Sequence, residues 1–147
     1  MDKTWALIFA IVVGFVASLQ PIINSKLGGH IGSKNAVFVN FIIGLVLIGL
    51  IILISDPSSI KQLSKVPAIN PVYLLGGIMG VVIVLLSLIV VPELGALSAF
   101  SIFVGVQLIS GALIDHFGIF GIQKSPITLL KLFGISLLLL GMRILIK

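Results

Sequence analysis

Apolar residues recur in five long runs along the chain, and short stretches rich in polar residues, glycine and proline separate them. A run of roughly 20 apolar residues is long enough to cross the hydrocarbon core of a membrane as a helix. The pattern therefore predicts an all-α integral membrane protein with a single transmembrane domain over residues 1–147. The five predicted transmembrane helices cover about 5–27, 34–55, 71–91, 94–116 and 126–146.

Residues that cap or end helices mark the boundaries of these spans. They are Gly28-Gly29 after the first, Ser33 before the second, Pro92-Glu93 between the third and fourth, and Ser125-Pro126 before the fifth. Glycine ends helices, serine caps their N-termini and proline fits their first turn. The short gap between the third and fourth helices predicts a tight antiparallel hairpin. The sequence shows no convincing internal repeat.

Composition places these helices in a membrane. Hydrophobic residues make up 59% of the chain and charged residues only 9%, with a mean hydropathy of +1.37. A soluble domain needs about 25% charged residues to cover its surface. The lysines and the single arginine stand alone near the ends of apolar runs, as membrane flanks do. Despite the net charge of +5, we therefore expect a lipid bilayer around the protein and no nucleic-acid binding.

The first apolar run also bears on targeting. Lys3 followed by apolar residues to Ala17 has some features of a signal peptide. Apolar character continues past that point to Leu27, which is longer than a signal peptide requires. We therefore expect a retained transmembrane helix.

Four amide side chains lie inside the predicted spans, where polar groups are costly unless they meet a partner. Amides donate and accept hydrogen bonds, so several together can orient an uncharged or weakly charged ligand. Aromatic residues at helical spacing from them would add apolar and stacking surface. The predicted substrate-binding residues are Trp5, Gln20, Asn24, Asn40, Phe100, Phe103 and Gln107.

Each part of this prediction has a structural alternative. The shared face of Phe100, Phe103 and Gln107 is typical either of a small-molecule path or of a contact between helices. Proline in the first span favours a kinked binding element like those of transporters, but polar residues also mark an interfacial helix end. A lone asparagine within the membrane, such as Asn40, also serves as a hydrogen-bonding contact between helices.

Charged groups suggest little chemistry beyond binding. The sequence has no His/Asp/Glu set with metal-ligand spacing, no nucleophile–base pair and no phosphate-binding glycine loop, so we expect no metal, no cofactor and no enzyme. Asp115 opposes the dipole at the end of the fourth helix. It and His116 are candidates for proton or ion coupling, and a salt bridge from Asp115 to Lys124 or Lys131 is the alternative.

Charge bias and glycine spacing predict how copies assemble. With five spans, one side carries Lys3, Lys61, Lys65, Lys124 and Lys131, and the other carries Lys26, Lys34, Arg143 and Lys147. Orientation follows this bias, and five against four is almost none. Both orientations can then occur and pair as an antiparallel homodimer of ten helices, an inverted repeat like those of many transporters. Gly134 and Gly141 share one helix face and predict a packing seam.

Two groups of motifs resemble one transporter family. The first comprises Gln20-Pro21-Ile22-Ile23-Asn24-x-x-Leu27, Gly32-Ser33 and Asn40-Phe41-x-x-Gly44. The second comprises Pro92-x-x-Gly95, Val106-Gln107-Leu108 and Ile114-Asp115-His116-Phe117-Gly118-x-x-Gly121. Together they resemble the YdcZ-type family of inner-membrane exporters in the drug/metabolite transporter superfamily, and they extend over essentially the whole chain.

That resemblance implies a multi-pass exporter of the inner membrane, similar in plan to the small multidrug resistance exporters but with one more helix. Those exporters bind protons and cations at a glutamate of the first helix. This chain has no acidic residue between Lys3 and Ile54, so that mechanism does not transfer.

We therefore expect a transporter that works by alternating access on neutral, aromatic or anionic small molecules rather than quaternary cations. A passive channel and a non-transporting membrane assembly subunit are the alternatives.

Overall fold

The computed structural model describes residues 2–146; Met1 and Lys147, the latter counted above among the flanking charges, lie outside the described residues. The regular structure in this range is entirely helical, which confirms the predicted all-α class. The α-helices are α1 (Lys3–Ile31), α2 (Ser33–Ser55), α3 (Leu75–Leu94), α4 (Ala96–Phe117) and α5 (Leu129–Leu145). 3-10 helices cover Pro57–Ala68, Pro71–Leu74 and Ile119–Gly121.

Four helical stretches of the described chain are long and apolar enough to cross a membrane. They are Lys3–Ile31, Ser33–Ser55, Pro71–Leu94 and Ala96–Phe117. Helix α5 has only 17 residues, about 26 Å at the α-helical rise, so the predicted fifth span is not among them. It begins three residues later than predicted, because Thr128 is the N-cap and accepts a hydrogen bond from the Lys131 N–H at 3.3 Å.

The junction between α1 and α2 is a single residue, Gly32, and lies later than predicted. Helix α1 continues through Gly28-Gly29, and the Gly32 N–H donates to the Gly28 carbonyl at 2.8 Å. Gly32 has φ +86° and ψ 145°, a conformation that only glycine adopts readily. Ser33 is consequently the first residue of α2 and not its cap.

The junction between α3 and α4 repeats this geometry at Gly95. Pro92-Glu93, predicted as the turn, lies inside α3, and the chain turns only at Gly95 with φ +77° and ψ 151°. In both junctions the glycine carbonyl accepts a hydrogen bond at 3.0 Å from the alanine four residues later, Ala36 or Ala99. Both alanines are fully buried, with 0% of their surface exposed.

The chain divides into two compact units, the first ending at Ile89 and the second beginning at Val90. In the first unit the buried core consists of Ala36 and Val37 from α2 and Leu88 from α3. Leu27 of α1 packs against this cluster. In the second unit α4 and α5 approach closely at Gly105, where a Cβ would lie 2.7 Å from the Met142 sulfur. Most other large apolar side chains are exposed, as contact with lipid requires.

Gly28 is a point of close approach within the first unit, and we predict that it cannot be enlarged. A Cβ there would lie 2.8 Å from Cδ2 of the buried Leu88 side chain. Overpacking of this kind costs about 1–3 kcal/mol. We expect Gly28→Leu to lower the melting temperature of the purified protein in detergent.

The matched control is Gly29→Leu, because nothing lies within 4 Å of a Cβ at Gly29. The two glycines are neighbours in the same helix, so replacing either one by leucine changes the helix propensity equally. Equal melting temperatures for the two variants would show that the contact with Leu88 does not hold the first unit together.

Candidate functional site

The predicted substrate-binding residues fall in both units of the chain. Trp5, Gln20, Asn24 and Asn40 belong to the first unit, and Phe100, Phe103 and Gln107 belong to the second. Asp115 and His116 also belong to the second unit, at the end of α4. The two groups of residues have different surroundings.

In the first unit the two asparagines face protein, whereas Trp5 and Gln20 face outward. Asn24 is only 6% exposed. The Asn40 side-chain nitrogen is buried and has no hydrogen-bond partner among the described residues. An unpaired buried donor costs about 1–3 kcal/mol, so this amide lowers the stability of the first unit. Trp5 is exposed and its ring centroid lies 6.1 Å from that of Phe9.

The second unit contains two adjoining open grooves between α4 and α5. The first, the apolar groove, has a volume of about 380 Å³ and is lined by Phe100 and Gly105 of α4 and by Gly141 and Met142 of α5, among others. The second, the polar groove, has a volume of about 410 Å³ and includes Gln107 in its lining. Leu108 and Leu138 line both grooves. Cavities of this size fall at the lower end of the usual range for small-molecule sites.

The polar groove brings an amide and a carboxylate together on one wall. Gln107, Gly111 and Asp115 of α4 all line it, and their spacing of four residues places them in one row along the helix. Gly111 has nothing within 4 Å of the position of a Cβ. The absence of a side chain there leaves open space between the amide and the carboxylate, so that a bound molecule could reach both.

Helix α5 supplies the opposite wall of the polar groove, including Lys131 and Gly134. The Lys131 ammonium donates to the Ser125 hydroxyl at 2.7 Å, to the Pro126 carbonyl at 3.1 Å and to the Ser125 carbonyl at 3.3 Å. None of its hydrogen bonds to described residues reaches Asp115. The alternative role of Asp115, a salt bridge, is therefore not observed with Lys131, whose ammonium holds the connection before α5.

The connection between α4 and α5 is attached to the end of α4 by two backbone donors. The Ser125 N–H donates to the Asp115 carbonyl at 2.9 Å, and the Ile127 N–H donates to Nδ1 of His116 at 3.2 Å. The His116 ring also meets the Phe117 ring edge-on, with centroids 4.9 Å apart. Because Nδ1 accepts a hydrogen bond, a proton placed on Nδ1 would break it. The hydrogen bond therefore joins the His116 ring to the backbone of Ile127.

Several predicted residues lie outside a shared pocket, and several pocket residues were not predicted. Phe103 lines neither groove and packs beside Phe100, with ring centroids 6.2 Å apart. Gly134 and Gly141 line grooves, and nothing lies within 4 Å of a Cβ at either, so the packing seam stays a prediction. Lys131 and Gly111 were missed as site residues. The spacing of Gly111 midway between Gln107 and Asp115 was the available signal for one of them.

Comparison with known protein families gives a match over most of the chain. The family model described as "Putative inner membrane exporter, YdcZ" matches residues 5–144 of the chain. No curated protein and no solved structure matches it.

The unpaired amide of Asn40 leads to a prediction about stability. Replacing a buried, unsatisfied donor by an apolar side chain of similar size removes its desolvation cost. We expect Asn40→Leu to leave the melting temperature in detergent unchanged or to raise it.

Asn40→Ala is the companion variant, because it removes the same amide but leaves a cavity. Buried cavities destabilise, so its melting temperature should fall below that of Asn40→Leu. If both variants lose stability equally, the Asn40 amide makes a stabilising hydrogen bond and our interpretation of it as unpaired is wrong.

Proposed function

The chain belongs to the YdcZ family of inner membrane exporters, and on that premise we propose that it moves a neutral, aromatic or anionic small molecule across the membrane by alternating access. It is a membrane transporter of the inner membrane, built from apolar helices that are long enough to span it. The observation that carries the finer proposal is the polar groove. Gln107, Asp115 and Lys131 all line it, beside a helix long enough to cross the membrane.

The charge balance of the polar groove supports this substrate class. Asp115 brings a carboxylate to the groove, but Lys131 lines it too, so the formal charges of these two residues cancel. A permanent cation would be desolvated there without an excess of negative charge. Gln107 can both donate to and accept from an uncharged polar group. Leu108, Ile135 and Leu138 supply apolar walls for an aromatic or aliphatic body.

The residues at the end of α4 are proposed to couple transport to a proton or an ion. Asp115 lines the groove, and its carbonyl and the neighbouring His116 ring hold the connection to α5. Protonation of His116 at Nδ1 would release one of these two attachments. A ligand in the groove and a proton on His116 would thus act on the same connection.

The proposed assembly is an antiparallel homodimer in which each copy has five spans. Helix α5 would be the fifth, crossing with the help of its flanking residues. Gly134 and Gly141 leave open surface on α5, where the backbone of a second copy could approach closely. The near-equal lysine and arginine flanks support insertion in both orientations. Transport rather than catalysis is proposed because the sequence offers no nucleophile–base pair.

A flux measurement on proteoliposomes tests the transport proposal, using a compound first identified by a thermal-shift screen of neutral, aromatic, anionic and quaternary cationic molecules. We expect saturable flux of a compound that is not a quaternary cation. Gln107→Ala should reduce flux about tenfold, because one hydrogen bond to the ligand is lost. Ser110→Ala is the matched control, since Ser110 is a polar residue of α4 that lines neither groove.

Other outcomes would select another function. An ohmic current would indicate a channel, and an absence of flux for every compound would indicate an assembly subunit. Normal flux through Gln107→Ala would move the binding site away from the polar groove. Robust proton-coupled export of a quaternary ammonium compound would contradict the proposed substrate class.

The charge balance also predicts an orientation that is easily changed. Reporter proteins fused to the C-terminus should give signal on both sides of the membrane, because the two sets of flanking charges differ by one residue. Two added lysines on either side should move the signal to a single side. A one-sided signal that resists such changes would contradict dual topology.

A further inference from the structure

The connection between α2 and α3 contains a long 3-10 helix whose role the transport proposal does not explain. It covers 12 residues, Pro57–Ala68, whereas 3-10 helices longer than three or four residues are uncommon. Three residues per turn and a rise of about 2 Å per residue give it a length of about 24 Å. They also align every third side chain in a straight row along its surface.

One of the three rows is entirely apolar. It consists of Pro57, Ile60, Leu63 and Val66. Ile60 is 45% exposed and Leu63 is 62% exposed, so the chain itself does not cover the middle of this row. The other two rows carry the serines, Gln62, Lys61 and Lys65, and they end in Pro67 and Ala68. The segment is therefore amphipathic in the 3-10 period, with a narrow apolar stripe between two polar rows.

The charge of this helix is positive along its length. Lys61 and Lys65 stand in different polar rows, one on each side of the apolar stripe. The acidic residue nearest to them in sequence is Asp56, which precedes the helix and accepts a hydrogen bond from the Ser58 hydroxyl at 2.6 Å. Within the helix both lysines are thus available to an external anion, and no carboxylate of the segment competes for them.

The 3-10 helix lies between two membrane-spanning stretches, and this position determines its surroundings. Ser55 ends one membrane-spanning stretch and Pro71 begins the next, so both ends of the connection lie at one surface of the membrane. A helix of this length, apolar on one face and basic on the others, matches the interface between acyl chains and headgroups. Lysines at such a surface are attracted to anionic lipids.

We propose that Pro57–Ala68 lies in the plane of the membrane surface, with the apolar stripe inserted among the acyl chains and with Lys61 and Lys65 binding the phosphates of anionic lipids. The partner is the bilayer, and none of these residues lines the grooves of the second unit. The helix then holds the junction of α2 and α3 at a defined depth, in a way that depends on the charge of the adjacent leaflet.

Tryptophan fluorescence of the full chain in lipid vesicles tests this proposal. Trp5 is the only tryptophan, so Trp5→Phe provides a silent background. In that background Leu63→Trp places a probe in the apolar stripe, and Gln62→Trp places a matched probe one residue away in a polar row. Vesicles contain phosphatidylcholine brominated near the carboxyl end of its acyl chains, with or without phosphatidylglycerol.

We expect the fluorescence of the Leu63→Trp variant to be blue-shifted and quenched by the brominated lipid. The Gln62→Trp variant should emit at longer wavelength and be quenched by aqueous iodide. Equal iodide quenching of the two probes would overturn insertion. A blue-shifted Leu63→Trp probe that the brominated lipid does not quench would show that protein, such as a second copy, covers the stripe, and would also overturn the proposal.

The lipid-binding part has its own test. Phosphatidylglycerol should increase the blue shift of the Leu63→Trp probe, and this increase should be lost when Lys61→Gln and Lys65→Gln are added. An effect of phosphatidylglycerol that survives both substitutions, or no effect at all, would overturn the role of the lysines. None of these readouts depends on transport, so they stand apart from the test of the proposed function.

Discussion

Inside a membrane every backbone N–H and carbonyl must find its partner within the protein, because the hydrocarbon core offers none. This constraint explains why so apolar a chain forms helices almost from end to end. It also explains how abruptly the chain turns: a single glycine separates α1 from α2, and another separates α3 from α4. At each of these junctions the glycine carbonyl is already bonded to the following helix.

The same constraint shapes the candidate site. Side-chain polarity inside the spans is rare, and most of the serines there bond to carbonyls of their own helix, as Ser101 does to Leu97 at 2.7 Å. The Asn40 amide nitrogen, by contrast, is buried and has no hydrogen-bond partner among the described residues. In the second unit Gln107 lines a groove together with Asp115 and Lys131. A polar side chain that makes no hydrogen bond within its own helix can bind a transported molecule.

The sequence predicted the helical class better than it predicted the ends of the helices. Apolar runs of membrane length are enough to locate α1 to α4, because such runs can be recognised directly in the sequence. Helix ends were less predictable: Gly28-Gly29 can remain helical, and Pro92 is tolerated inside α3, where only one backbone hydrogen bond is lost. Gln107 and Asp115 were recognisable because polarity is unusual within or beside a span. Lys131 was not, since its place in the groove depends on how α4 and α5 pack.

The two glycine junctions have a consequence for how this chain can vary. Gly32 and Gly95 share nearly the same backbone angles, and each is followed four residues later by an alanine that has no exposed surface. A side chain at either glycine would strain the backbone by about 1–3 kcal/mol, and a larger residue at either alanine would have no room. Most exposed apolar positions can exchange one aliphatic residue for another, since lipid accepts any of them. Substitutions should therefore be frequent at lipid-facing positions and rare at these four small residues. The same glycine–alanine pattern occurs twice, although the sequence as a whole shows no convincing internal repeat.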